Sequence, residues 1–180
     1  SHPGVSIFVY GRVETTTDAS IIINSTKKYP ARQTLEASHS IARTHKLVEK
    51  STLFLQQAPT AIDNGAFHND VVFVSNKNVL FYHRQAFNQV DTLKHFVTSN
   101  LFKDVYFLEV DESELTLEES IKTYVFNSQI VSLPNGEMAL IAPKEAEQYM
   151  PSKKLIDRVL KEDNPITKAY FVDCRQSMQN

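Results

Sequence analysis

The sequence has very little cysteine and little glycine for its 180 residues. A single cysteine, Cys174, leaves no internal disulfide and excludes a multi-cysteine zinc site. Its four glycines fall below the usual share of about 7%. The sequence contains no GxGxxG fingerprint and no Walker-type loop. These shortages argue against a disulfide-stabilised scaffold and against a glycine-rich phosphate loop.

An excess of one charge and long apolar runs are also missing. The 19 basic and 21 acidic residues give a net charge of −2, so there is no basic surplus of the kind that favours nucleic acid. No apolar run approaches the roughly 20 residues that a membrane-spanning helix needs. Hydrophobic residues make up 42% of the chain, which is long enough to bury a core without a structural metal. We therefore expect a globular protein with neither a nucleic-acid nor a membrane partner.

Short apolar runs alternate with helical patterns along the chain. Val5–Tyr10 and Thr52–Gln57 are typical of strands, and apolar residues spaced by three and four predict a helix over 31–50. Strands with intervening helices predict an α/β fold. Because no Pro- or Ser-rich linker divides the chain, we expect residues 1–180 to form one folding unit.

The order strand, strand, helix, strand is predicted twice. Each copy begins with a hairpin whose turn contains asparagine, a residue that tolerates the positive φ of tight turns. The first copy is predicted at Ala66–Ser75, Val79–His83, Asp91–Phe102 and Val105–Val110. The second is predicted at Gln129–Leu133, Met138–Ile141, Ser152–Glu162 and Ala169–Cys174, after a helix at Leu117–Phe126.

His68 and Asp70 form the pattern that is most informative about chemistry. If 66–75 is a strand, positions i and i+2 project from one face, so these two side chains point the same way. Imidazole exchanges a proton near neutral pH, and a carboxylate holds cationic, N–H-rich groups by charge-assisted hydrogen bonds. Such a pair also occurs with purely structural roles, a histidine bonded to a carbonyl and an aspartate that caps a turn. The spacing leaves both interpretations open.

Three other residues have alternative interpretations. A metal site at His68 and Asp70 needs a third ligand, for which His83 is the nearest candidate. Arg32, predicted in the first turn of a helix, is either a clamp for a carboxylate or a solvated surface residue. Cys174 is either a nucleophile with His68 as its base or a small residue packed in a core.

Seven short blocks of sequence support a more specific hypothesis. They are Phe8-Val9-Tyr10-Gly11-Arg12, Tyr29-Pro30-Ala31-Arg32-Gln33, Phe67-His68-Asn69-Asp70-Val71, Leu80-Phe81-Tyr82-His83, Phe126-Asn127-Ser128-Gln129, Asp163-Asn164-Pro165-Ile166 and Arg175-Gln176-Ser177-Met178. In this order they resemble the N-succinylarginine dihydrolase family, from near residue 5 to the end of the chain.

The resemblance implies a fold and an activity. The family belongs to the guanidino-group-modifying enzymes (penteins), whose five-bladed α/β propeller is built from ββαβ repeats, so this chain is expected to supply about two to three blades. These enzymes use a cysteine, a histidine and acidic residues, with no metal or organic cofactor. They are hydrolases of C–N bonds in linear amidines, and they convert N-succinyl-L-arginine to N-succinylornithine, ammonia and carbon dioxide in arginine catabolism. A cytoplasmic homodimer is expected for the intact enzyme.

The resemblance also implies roles for four residues. His68 matches the catalytic histidine, and Arg32, Asp70 and Asn180 match substrate-binding positions. In the family, Asn180 is followed by glycines and the nucleophilic cysteine, and the catalytic glutamate precedes the block near residue 5. Cys174 does not match that nucleophile. We therefore expect a central fragment of the catalytic domain that is inactive alone, with another pentein guanidine hydrolase or amidinotransferase, or a non-catalytic fragment, as the alternatives.

Overall fold

A computed structural model describes residues 4–14, 26–101 and 104–174. In chain order its elements are β1 (Ser6–Tyr10), α1 (Leu35–Thr44), β2 (Thr52–Gln56), α2 (Pro59–Asp63), β3 (Phe73–Asn76), β4 (Val79–His83), α3 (Val90–Asn100), β5 (Tyr106–Val110), α4 (Leu117–Thr123), β6 (Gln129–Ser132), β7 (Met138–Pro143), α5 (Lys144–Gln148), α6 (Met150–Val159) and β8 (Ile166–Val172). Strands and helices alternate, which confirms the predicted α/β class.

The described residues divide into two compact units. The first lies within Ser1–Asn69 and Gln85–Val105, and the second lies within Asp70–Arg84 and Tyr106–Asn180. A single folding unit over 1–180 stays a prediction.

The first unit contains a βαβ arrangement. Its strands β1 and β2 pair in parallel, from Ser6 opposite Thr52 to Tyr10 opposite Gln56, and α1 contacts both strands. The helix is shorter than the predicted 31–50, because the hydroxyl of Thr34 accepts a hydrogen bond from the Ala37 N–H (3.1 Å) and so caps the helix at Leu35. Arg32 consequently lies before the helix and not in its first turn.

The second unit contains two three-stranded sheets of identical topology. The strand orders are β3-β4-β5 and β6-β7-β8, and in each the first pair is antiparallel and the second pair is parallel. A helix or helices lie in the chain between the second and third strand of each sheet. The element order strand, strand, helix, strand is therefore confirmed in the first copy, whereas the second has two helices, α5 and α6, where one was predicted at Ser152–Glu162.

Three of the described residues other than glycine adopt the left-handed conformation, two of them at helix ends and one in a hairpin turn. Lys46 (φ 52°) follows α1, where the Leu47 N–H donates to the Ala42 carbonyl (3.0 Å) and closes the helix. Tyr124 (φ 52°) stops α4 before the predicted end at Phe126. In the first hairpin Lys77 (φ 51°) adopts the positive φ, and not an asparagine as the sequence suggested.

The predicted strand over Ala66–Ser75 is wrong in its first half. Asn69–Val71 form a 3₁₀ turn, and β3 begins only at Phe73. The alternation of side chains along a strand therefore does not apply to His68 and Asp70, and the prediction that they share a strand face fails with it.

One hydrophobic core fills the second unit and draws on both of its sheets. Its buried members are Val79, Phe81, Leu108, Val110, Leu115, Val125, Phe126, Ile130, Met138, Leu140, Ala142, Ala146, Leu155, Ile156, Val159 and Ile166. The rings of Phe81 on β4 and Phe126 pack with their centroids 4.7 Å apart. In the part of the chain that the structure describes, every helix is too short or too polar to cross a bilayer.

His83 is wholly buried in the second unit. Its Nε2 lies 3.0 Å from the carbonyl oxygen of Leu115, which can only accept, so Nε2 carries a proton. Burial lowers the pKa of His83 below its ordinary value of 6.5, although the bond to Leu115 and the charges of Glu112, Asp111 and Glu109 act in the opposite direction.

We expect the second unit to lose stability as the pH falls below the ordinary histidine value. The unfolded chain takes up a proton at His83 near pH 6.5, whereas the folded chain resists it, so the free energy of unfolding falls as the pH drops towards the folded-state pKa. Urea unfolding at pH 7, 6 and 5 measures this slope. His83→Gln should flatten it, and His95→Gln, at an exposed position on α3, should not. Equal slopes in the two variants would contradict the assignment to His83.

Candidate active site around Arg32 and His68

The segment Tyr29–Gln33 is fixed by the end of β1. The carbonyl of Gln33 accepts hydrogen bonds from the N–H groups of Gly11 (3.0 Å) and Arg12 (3.2 Å). The N–H of Leu35 returns a bond to the Arg12 carbonyl (3.1 Å). These bonds place Arg32 and Gln33 directly beside the point where the chain leaves the sheet.

Gly11 allows the segment to approach this closely. A Cβ atom at residue 11 would lie 2.6 Å from the Cβ of Ala31 and 3.0 Å from the Cδ1 of Ile62. The Cβ of Ala31 is attached directly to the backbone, so any side chain at residue 11 would push the segment outwards. One of the four glycines of the sequence therefore serves close packing beside Arg32.

The other half of the site follows helix α2. Two residues after the helix lies a left-handed glycine, Gly65 (φ 104°), and the N–H of Ala66 closes the helix end by donating to the Ala61 carbonyl (3.0 Å). The buried side chain of Gln57 then donates to the Ala66 carbonyl (2.8 Å). His68 therefore emerges from a short stretch whose start is held by hydrogen bonds.

Arg32 and His68 meet although they lie 36 residues apart in the chain, with Arg32 Nη1 at 3.0 Å from His68 Nε2. A guanidinium has only donors, so Arg32 donates and Nε2 accepts with its lone pair. The guanidinium also lies over the ring of Phe67, 5.2 Å from its centroid.

Gln33 contacts the second ring nitrogen of His68. Its amide nitrogen lies 3.4 Å from Nδ1. Because Nε2 accepts from Arg32, a neutral imidazole carries its proton on Nδ1, and turning the Gln33 amide over presents its oxygen to that N–H. The neutral ring thus has its proton on Nδ1 and its lone pair on Nε2.

The paired side chains are open to solvent, and Arg32 carries a positive charge. Arg32, Gln33 and His68 are all exposed, so a ligand can reach them. Within residues 4–14, 26–101 and 104–174, no carboxylate forms an ion pair with Arg32. Its charge is therefore available to an anionic ligand.

The remaining predicted site residues belong to the second unit or lie outside the residues that the structure describes. Asp70 is exposed within the 3₁₀ turn and belongs to the second unit, whereas Arg32 and His68 belong to the first. Asn180 lies outside the described residues. Cys174 follows β8 by two residues, is half-buried and belongs to the second unit.

Two contacts of the site were not predicted from the sequence, those of Gln33 and Phe67. Both residues flank predicted site residues within the blocks that carry the family resemblance, which is the signal that could have found them. As for the metal alternative, the described residues hold no group of three or more His, Cys, Asp or Glu side chains placed to bind an ion.

Known proteins of one family match this sequence over almost its whole length. Residues 1–180 match the family model described as succinylarginine dihydrolase. The chain is 44% identical over 179 residues to the N-succinylarginine dihydrolase of Shewanella denitrificans and 46% identical over 182 residues to that of Shewanella loihica. These matches cover 99% of the chain but only 39% and 40% of the two relatives. The chain thus spans about two fifths of the length of these curated relatives.

Proposed function

Because the chain belongs to the succinylarginine dihydrolase family, we propose that it forms part of an N-succinylarginine dihydrolase and supplies one side of its active site. The whole enzyme would hydrolyse the guanidino group of N-succinyl-L-arginine to N-succinylornithine, ammonia and carbon dioxide. The observation that carries the proposal is the 3.0 Å approach of Arg32 Nη1 to His68 Nε2.

His68 is the proton carrier of this proposal. In the family's chemistry a cysteine thiolate attacks the guanidinium carbon, a C–N bond breaks, and ammonia leaves a covalent amidino thioether. Water then attacks that carbon, the C–S bond breaks and a ureido group remains. A second round of thiolate attack and hydrolysis breaks the remaining C–N bonds, which releases a second ammonia and carbon dioxide and leaves the ornithine amine. The imidazole at residue 68 passes a proton to the departing nitrogen and takes one from the attacking water, which requires a free lone pair on one ring nitrogen.

Arg32 binds a carboxylate of the substrate in this scheme. In the structure its guanidinium occupies the lone pair of His68 Nε2, which proton transfer needs. A carboxylate of the succinyl or arginine portion is a stronger acceptor for guanidinium than a neutral imidazole. Substrate binding would therefore draw Arg32 away from Nε2 and free the histidine to act.

Asp70 and Asn180 complete the proposed substrate contacts. The carboxylate of Asp70 would hold the guanidinium of the substrate by charge-assisted hydrogen bonds. The same proposal includes the five-bladed pentein propeller, which the family and the two copies of the ββαβ order support. It also includes a homodimer and a cytoplasmic location, for which the support is the family. The 180 residues alone are proposed to be inactive, because the family's nucleophile and glutamate fall outside the blocks matched here.

Arg32→Ala tests the proposed binding role. The assay uses a test chimera, in which these 180 residues replace the matching segment of the Shewanella denitrificans relative. Loss of a charged hydrogen-bond partner costs about 1.5–3 kcal/mol, so we expect kcat/KM for N-succinylarginine to fall about 10- to 150-fold, mainly through KM. Arg32→Lys should fall in between, because lysine keeps the charge but not the paired donors.

The matched control is Arg43→Ala, an exposed arginine in the last turn of α1. It should leave KM unchanged. An unmodified chimera without activity, or an Arg32→Ala variant with the KM of the unmodified chimera, would count against the proposal. Formation of an amidino-transfer product in place of free ammonia would favour the amidinotransferase alternative.

A further inference from the structure

Asp63, the last residue of α2, gathers the backbone N–H groups of three successive residues. Its carboxylate accepts hydrogen bonds from Lys27 (3.0 and 2.8 Å), Lys28 (2.7 Å) and Tyr29 (3.2 Å). Successive N–H groups that converge in this way form a cradle for an anion. A carboxylate at the C-terminal end of a helix is electrostatically unfavourable, so α2 itself gives no reason for an acid there. These bonds also hold the pKa of Asp63 below its ordinary value, so the group is ionised at neutral pH.

The anchored residues lead directly to Arg32. Between Tyr29 and Arg32 lies Pro30, which fixes its own φ and restricts the residue before it to extended conformations. The next residue, Ala31, is buried against Gly11. The backbone from 27 to 33 therefore has few free dihedral angles and is held at both ends, by Asp63 at its start and by the end of β1 at its close.

An aromatic contact also links Tyr29, which Asp63 holds, to the site. The ring of Tyr29 meets that of Phe67 edge-on, with centroids 4.9 Å apart and planes at 78°. Phe67 lies beneath the guanidinium of Arg32 and precedes His68 in the chain. Displacement of Tyr29 would therefore move both the backbone before Arg32 and the ring below its side chain.

We infer that Asp63 is a positioning residue, which fixes the segment 27–29 through its three backbone partners and thereby sets the contact between Arg32 and His68. The inference rests on the proposed function only in that Arg32 and His68 are taken to face the substrate. Asp63 itself touches neither the substrate nor the imidazole in this scheme.

Nuclear magnetic resonance of the 180-residue chain tests the inference without reference to activity. In Asp63→Asn the amide keeps the size of the side chain and the Oδ1 that accepts from all three residues. An NH₂ group replaces the Oδ2 that accepts from Lys27 at 2.8 Å, so a donor meets a donor there and the three bonds cannot all keep their geometry. We expect the cross-peak between the guanidinium protons of Arg32 and the ring of His68 to disappear and the Nε2 shift of His68 to move. The shifts of His95, exposed on α3, should stay unchanged.

The matched control is Asn64→Ala. Asn64 is the exposed neighbour of Asp63, and its side chain donates to the Thr60 carbonyl (2.8 Å) and to no other group among the described residues. This variant therefore perturbs the end of α2 without touching residues 27–29. It should leave the His68 signals in place. Asp63→Ala should reproduce the effect of Asp63→Asn, and if the alanine variant does not fold, the asparagine variant decides. An Arg32–His68 cross-peak that persists in Asp63→Asn overturns the inference.

A second measurement separates this inference from the proposed function. In the test chimera, a backbone shift at Arg32 should raise KM for N-succinylarginine about tenfold, with kcat changed much less. In one outcome Asp63→Asn removes the cross-peak, but neither Asp63→Asn nor Arg32→Ala changes KM. Asp63 then positions Arg32, and the proposed substrate role of Arg32 is wrong. If Arg32→Ala raises KM and Asp63→Asn leaves both KM and cross-peak intact, the inference fails alone.

Discussion

Replacing His68 with asparagine is expected to lower kcat for N-succinylarginine hydrolysis in the test chimera by about 10²- to 10⁴-fold, the usual contribution of a positioned acid–base group. Asparagine can still accept a hydrogen bond from Arg32, so the surroundings of residue 68 stay close to those of the unmodified protein. It cannot release and take up a proton, so both ammonia departure and water attack slow down. Ammonia release under saturating substrate measures the effect.

The control for this substitution is His95→Asn on the exposed face of α3. It should change neither kcat nor KM, whereas His68→Asn should change kcat far more than KM. The 180-residue chain alone should release no ammonia. A kcat that falls no further in His68→Asn than in His95→Asn, or ammonia release by the chain alone that His68→Asn abolishes, would contradict the proposal.

The two ββαβ copies could be predicted from the sequence because each of their elements has a local signal. The strands of each hairpin flank a short polar turn, and the strand Val79–His83 has the bounds that its apolar start and the preceding turn predict. In the second hairpin the turn is closed by Gly136 (φ 87°), where the sequence Pro134-Asn135-Gly136 predicts a tight turn. Turn residues and apolar runs are patterns of a few neighbouring positions, and here the strands that they predict are also the strands that pair in the folded chain.

The geometry at His68 could not be predicted in the same way. Residues 66–75 contain enough apolar side chains to suggest a strand, but the hydrogen bond from Gln57 to the Ala66 carbonyl ties the start of this stretch to the residue that follows β2. The chain then forms the 3₁₀ turn at Asn69–Val71 before β3 begins. A contact with a residue nine positions earlier, outside the apolar run, thus accompanies the loss of the local strand preference.

Non-local pairing also explains why no local sequence pattern linked His68 to its partners. Arg32 and Gln33 are separated from His68 by 36 and 35 residues, and no spacing rule links them. The role of Asp63 could not be predicted for a further reason. Its partners are backbone N–H groups, which are present whichever side chains occupy residues 27–29. The family resemblance identified Arg32 and His68, and the structure adds that they touch.

Replacing Phe126 with alanine is expected to lower the free energy of unfolding of the second unit by about 3–5 kcal/mol, as usual for truncating a buried aromatic ring. Phe126 is wholly buried, its ring centroid lies 4.7 Å from that of Phe81 on β4 with the planes at 53°, and it packs in the core to which both three-stranded sheets contribute. The cavity left behind would remove contacts on both sheets, so the two three-stranded sheets should lose stability together and not one after the other.

Urea unfolding followed by backbone amide signals distinguishes these possibilities. In Phe126→Ala the midpoints for amides of β4 and of β7 should shift by the same amount, because one core serves both strands. Tyr170→Ala on β8 is the matched control, since this aromatic side chain is 54% exposed and its loss should cost much less. Separate shifts for β4 and β7 would mean that each sheet unfolds on its own, and a loss no larger than that of Tyr170→Ala would mean that the core closes around the missing ring.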